Sequence, residues 1–201
     1  MKVLEALQEA WEELESYIEV TGAGEILRRY FAMNAFDGAL TMLGFIMGAY
    51  VSGLKNAHIV LAAGLSMSLA MGVSGFVGAF ITEKAEREKK VKELERVLFA
   101  SLSGTVIDRA AKFAVITAAL VDATAPAFAA LISASPFVLT LLGLVSFDLA
   151  VLLSVVVTLA FLFLLGAYLG RIAQSNPFTY GLYMLLAGAI TSALIGIIGG
   201  W

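Results

Sequence analysis

The chain has 201 residues; 60% are Ala, Val, Ile, Leu, Met, Phe, Trp, Tyr or Cys, and only 14% are charged. Soluble domains lie nearer about half apolar and about a quarter charged, so a soluble enzyme is close to excluded. The absence of cysteine and a single histidine remove disulfides, thiolate metal sites, Cys nucleophiles and His-rich zinc sites, and the net charge of −3 says little because the charges are unevenly placed.

In chain order, residues 1–26 come first and are polar and periodic. Leu4, Leu7, Trp11, Leu14 and Ile18 recur at helical spacing among Glu5, Glu9, Glu12, Glu13, Glu15 and Glu19. That pattern predicts a cytoplasmic amphipathic helix and not a signal peptide. Residues 27–201 read as a transmembrane domain with spans near 30–51, 59–82, 113–133, 146–170 and 178–200. Each is long enough at about 1.5 Å per residue to cross about 30 Å of hydrocarbon. Residues 83–112 are too charged for the membrane and predict a cytoplasmic helical segment, in which Glu83–Arg96 is a Lys/Glu helix extending span two.

The run from 113 to 170 is the ambiguous one, and charge decides it. Lys2, Arg28 and Arg29 precede the first span, eight Lys and Arg residues lie between 84 and 112, and Arg171 follows the long run, leaving Lys55 alone for the other side. Basic residues collect on the cytoplasmic side, so the run must cross an even number of times. Two crossings fit, with a turn near residues 133–136. The expectation is an all-α polytopic membrane protein of five transmembrane helices, amino terminus cytoplasmic and carboxyl terminus outside. Short termini and no targeting segment point to a prokaryotic plasma membrane.

A carboxylate inside a span costs a few kcal/mol on insertion scales and normally faces a partner or a water path. Asp37 is the first to explain. Met33, Asp37 and Thr41 share one helical face, and Asn34, Asp37 and Thr41 supply oxygens. Asp37 is either a path carboxylate or an Asp that bonds backbone or Arg29. In span two, Gly64, Met67, Met71, Ser74, Gly75 and Gly78 fall near one stripe. Small residues there admit close helix approach. Met67 and Met71 are either packing or a thioether pair for a soft or borderline metal. Asp122 lies four residues before Pro126, which cannot donate to its carbonyl. It is either a proton carrier or a helix contact. Asp148 reads as a helix cap, and His58 as an interfacial residue of the outer loop. Nucleic-acid, P-loop and Rossmann signals are absent.

Three places resemble the vacuolar iron transporter family. The first is Gly24-Glu25-Ile26-Leu27-Arg28-Arg29 followed by Asn34-Ala35-Phe36-Asp37-Gly38-Ala39-Leu40-Thr41, like that family's Arg-led entry and Asp-Gly-Leu-Val-Thr signature. The second is Gly64-Leu65-Ser66 through Ser74-Gly75-Phe76-Val77-Gly78-Ala79, in the frame of its Ser-Met-x-x-Gly-Glu-Tyr-x-Ser segment. The third is Gly181 to Gly188, like its last helix. In that frame Gly75 stands where the family has a metal-handling Met, Ala79 where many members have Glu, and Met67 where members often carry another acid. The family's Glu-rich cytoplasmic insert is shortened to 83–112.

The resemblance implies a transporter exporting a divalent cation, Fe²⁺ or Mn²⁺, from the cytoplasm, with proton exchange and a path at a homodimer interface. With the reading of the residues above, it makes Asp37, Thr41, Met33, Met67, Met71 and Ser74 candidates along the path, Asp122 a candidate proton carrier, and Glu83, Glu86 and Glu93 candidates for cytoplasmic metal capture. The expected partners are the bilayer, the cation and a second copy; no permanently bound cofactor, no nucleic acid and no enzymatic activity are expected. Two other readings stay open: a non-transporting membrane scaffold or sensor, and a carrier of a small organic cation.

Overall fold

The structure, a computed structural model, describes Tyr17 and residues 22–199. The amphipathic segment expected over residues 1–26 lies outside the described residues except for Tyr17 and residues 22–26. Residues 22–199 form six helices: α1 (Ala23–Val51), α2 (Ala57–Leu98), α3 (Val106–Ala134), a short α4 (Pro136–Leu141), α5 (Phe147–Ile172) and α6 (Pro177–Gly199). All but α4 are long and apolar enough to cross a membrane, and among the described residues there is no strand. The chain is an integral membrane protein, with five such helices among the described residues.

The spans fall where the apolar runs put them, and the differences sit at the ends. Residues 83–112 do not form one segment. Glu83 to Leu98 prolong α2 without a break, giving a helix of 42 residues, and α3 begins at Val106, before the charge cluster ends. The stop is local: Phe99 (φ 53°) and Gly104 (φ 74°) adopt left-handed backbone on either side of a tight loop. His58 stands in the first turn of α2 rather than in the loop before it. The turn expected near 133–136 is the break at Ser135, followed by the extra helix α4 with Pro136 at its first position, where a missing N–H costs nothing.

The chain divides into two compact units, Met1–Phe31 with Val73–Ala123, and Ala32–Gly72 with Thr124–Trp201. In the second, Met42, Ile46, Val60, Phe137 and Val151 form a core with five alanines, and Phe45, Met67 and Met71 pack against it. Glycine permits the closest approaches. A Cβ on Gly38 would collide with the backbone of Pro126, and one on Gly170 would lie 2.7 Å from the Pro177 Cα. With no hydrophobic drive between helices in lipid, such backbone-to-backbone packing supplies much of the association.

Hairpin ends are secured by caps. The Asn176 side-chain oxygen accepts from the Phe178 N–H at 2.9 Å just before α6, and the Ser146 hydroxyl accepts from Leu149 at 3.3 Å at the start of α5. Lys55, between α1 and α2, donates to Asp148 at 2.8 Å. Hydroxyls inside the helices donate to the carbonyl one turn back, as Ser68 does to Gly64 and Thr158 to Ser154, which removes an unmet donor from an apolar medium.

Candidate functional site

Helix α1 has two faces below its midpoint. Ala35, Ala39, Met42, Leu43 and Ile46 are buried. Met33, Asp37 and Thr41, each one turn from the next, are exposed. The Asp-Gly pair is therefore split between two jobs. Gly38 is bare because the Pro126 backbone lies against it, while Asp37 points off the packed side. Among the described residues the Asp37 side chain has no hydrogen bond and no ion pair. A private bond to backbone or to a guanidinium, the alternative open from the sequence, is not made there. The Arg29 guanidinium lies over the Tyr30 ring, 5.8 Å from its centroid.

The two span-two methionines are placed differently from Asp37. Met67 and Met71 are half-buried, and in the single chain their side chains pack against the core around Met42 and Ile46. Ser74 is exposed on α2.

Gly75 carries more information than its size suggests. A Cβ there would stand 2.7 Å from the Asp122 carbonyl oxygen and 2.8 Å from Asp122 Oδ2. The position where the resembled family has a methionine is filled here by the backbone and carboxylate of a neighbouring helix. Asp122 itself is half-buried.

The three glutamates expected to capture metal are not gathered. Glu83 is buried; its Oε1 accepts from the Tyr30 hydroxyl at 3.1 Å and its Oε2 lies 3.5 Å from Arg87 Nε. Glu86 and Glu93 are exposed, each 3.9 Å from a lysine one turn away, Lys90 and Lys89 respectively. Among the described residues no three His, Asp or Glu side chains are placed to hold a metal ion. Tyr30 and Arg87 were not singled out in the sequence, although the i,i+4 spacing of Glu83 and Arg87 on a segment expected to be solvated was the available signal.

No family model matches the chain. It is 32% identical over 177 residues to the uncharacterized protein MJ0645 of Methanocaldococcus jannaschii, an alignment covering 86% of this chain and 87% of that one. The chain belongs to the MJ0645 family. Coverage this even means that the MJ0645 alignment takes in most of the membrane-spanning helices and not a single shared segment.

Proposed function

We propose that this member of the MJ0645 family carries a divalent cation of the Fe²⁺ or Mn²⁺ kind out of the cytoplasm as a homodimer, with Asp37 lining the path. The observation that carries the reading is an exposed carboxylate with no partner among the described residues of its chain, midway between Met33 and Thr41 on a membrane-crossing helix. Such a group against lipid is unfavourable by a few kcal/mol, so something polar covers it. A second copy supplies that cover most economically: it doubles the carboxylate and hydroxyl oxygens and so assembles from two chains a ligand set that one lacks. A carboxylate there exchanges a proton for a cation as the path fills and empties.

The likeness to vacuolar iron transporters at residues 24–29 and 34–41 supports the cargo class. The distribution of basic residues supports an amino terminus in the cytoplasm and a carboxyl terminus outside, in a prokaryotic plasma membrane. The test is Mn²⁺ or Fe²⁺ flux into proteoliposomes loaded with a metal-sensitive dye. Wild type moves the ion and Asp37→Asn does not; equal flux in the two removes Asp37 from the path.

Two observations favour a second reading, a membrane scaffold or sensor that transports nothing. Met67 and Met71 are spent on packing, and the cytoplasmic glutamates are held by neighbouring cations. A thermal-shift series with Fe²⁺, Mn²⁺, Co²⁺, Zn²⁺ and Mg²⁺ separates the two, because a ligand of the folded state adds about 2.7 kcal/mol at a hundredfold over its dissociation constant. A shift with Mn²⁺ or Fe²⁺ supports the transporter, and silence with all five supports the scaffold. Carriage of a small organic cation, with Asp37 as counter-charge, is read from competition with the metal flux.

A further inference from the structure

Past its apolar run, α2 pairs with the start of α3 around an open groove. Gly75 against Asp122 fixes the pairing at one end, and Glu95, accepting from the Leu102 N–H at 2.8 Å, fixes it at the other. That antiparallel register sets Lys84 level with Phe113. The groove between the two helices measures about 440 Å³. Phe80, Val91, Ala111 and Ile116 give it an apolar lining, and Lys84, Lys92 and Lys112 stand among its charged residues. Lys92 makes no ion pair among the described residues. Beyond the groove the apolar face of α2 continues, since Leu94 and Leu98 follow Val91 at helical spacing and both are exposed. Contiguous apolar surface on so charged a stretch marks a contact site.

The chain carries a segment of matching chemistry. Residues 1–16 lie outside the described residues, and their sequence puts Leu4, Leu7, Trp11 and Leu14 at helical spacing among glutamates. Residues 1–19 hold six Glu against one Lys, whereas residues 83–112 hold eight Lys and Arg against six Asp and Glu. The segment also ends at the groove. Tyr17 is buried, with its ring centroid 5.8 Å from that of Phe113, the residue after Lys112. Tyr17 and both walls of the groove belong to one compact unit.

We propose that residues 4–18 dock as a helix into this groove of their own chain, running from Tyr17 toward the far end of α2. Leu14 and Trp11 then cover Ala111 and Val91, and Leu7 and Leu4 cover Leu94 and Leu98. The lengths agree. Leu7 stands ten residues before Tyr17 and Leu94 ten after Lys84, each about 15 Å along its helix at about 1.5 Å per residue. Apolar burial supplies the affinity, while the glutamates facing Lys92 and Lys112 set the orientation, because exposed ion pairs contribute little by themselves. The contact of Tyr17 with Phe113 holds the segment beside its site, so docking proceeds at a high effective concentration. None of this depends on what the protein carries across the membrane.

The test uses the full chain, which has no native cysteine, in native membranes. Leu7→Cys combined with Leu94→Cys is treated with a short bifunctional thiol reagent, and the linked peptides are read by mass spectrometry of the monomer band. A link between residues 7 and 94 within one chain is the expected result. Links formed only between chains would give the groove to the segment of a second copy and overturn the proposal. No link, while both thiols react with a maleimide, would overturn it as well. Trp11 judges the docking without cysteines. In Trp201→Phe, where Trp11 is the remaining tryptophan, its emission resists quenching by vesicles of phosphatidylcholine brominated in the acyl chains. Strong quenching would place the segment on the lipid surface and refute docking in the groove.

Discussion

A methionine at residue 75, where the resembled family has one, collides with the packing around Gly75. The added Cβ alone lies 2.7 Å from the Asp122 carbonyl oxygen, well inside ordinary contact. The second clash, 2.8 Å to Asp122 Oδ2, is relieved by a side-chain rotation, but the first is with helix backbone and is not. Either α2 and α3 part locally or the new side chain is strained. Overpacking of this sort costs about 1–3 kcal/mol, and at about 2–4 °C per kcal/mol for a chain of this size Gly75→Met lowers Tm by roughly 2–12 °C. Gly75→Ala already carries the backbone clash, so it accounts for most of the loss. The assay is thermal unfolding of purified protein in detergent, followed by tryptophan fluorescence and by the recovery of monodisperse protein. A Gly75→Met protein as stable as wild type refutes the packing argument.

Three further outcomes follow from other contacts. Replacing Glu83 by Leu removes the carboxylate that meets the buried Arg87 guanidinium and accepts from Tyr30, and lowers Tm; adding Arg87→Met recovers part of that loss. Asn176→Ala removes the acceptor for the Phe178 N–H and lowers stability by about 0.5–2 kcal/mol, with flux per folded molecule unchanged. The hydrogen bond from Lys55 to Asp148, and then the charge of Asp148, hold the Lys55 amine above its ordinary value of 10.5. While Asp148 is a carboxylate, the pair therefore stabilises the fold below that value and stops doing so as pH rises through the raised one. Any Tm difference between wild type and Lys55→Met is thus constant through neutral pH and disappears in strong alkali. The effect is small because both side chains are more than half exposed.

The spans were legible because lipid demands long uninterrupted apolar helices, and runs such as 59–82 admit no other reading. Composition marks the membrane boundary, while the Lys/Glu run of Glu83–Arg96, which favours helix as much as solvent, carries α2 on to Leu98. The short helix Pro136–Leu141 hid inside an apolar run whose only punctuation was Pro136. At the site, Asp37 was found from cost alone, a charge where charge is unfavourable. Met67 and Met71 show the opposite case. A thioether is equally at home in a core and on a metal, and only the neighbours of Met42 and Ile46 decide between them. Gly75 and Asp122 were each noticed, but their contact spans two helices and no spacing within either could reveal it. The Tyr30–Glu83–Arg87 set stayed hidden because Glu83 resembled one more solvated acid among several.

The account stands on Asp37 and its neighbours facing a second copy. The chain has no native cysteine, so single thiols report cleanly. Met33→Cys and Thr41→Cys, each treated in native membranes with bifunctional thiol reagents of graded length, test that face directly. Both give covalent dimers with a short reagent, while Leu152→Cys, on an exposed face of α5, stays monomeric. Monomers from both α1 variants with every reagent, under conditions in which their thiols react freely with a lipid-soluble maleimide, would place Asp37 against lipid and end the case for a path between copies.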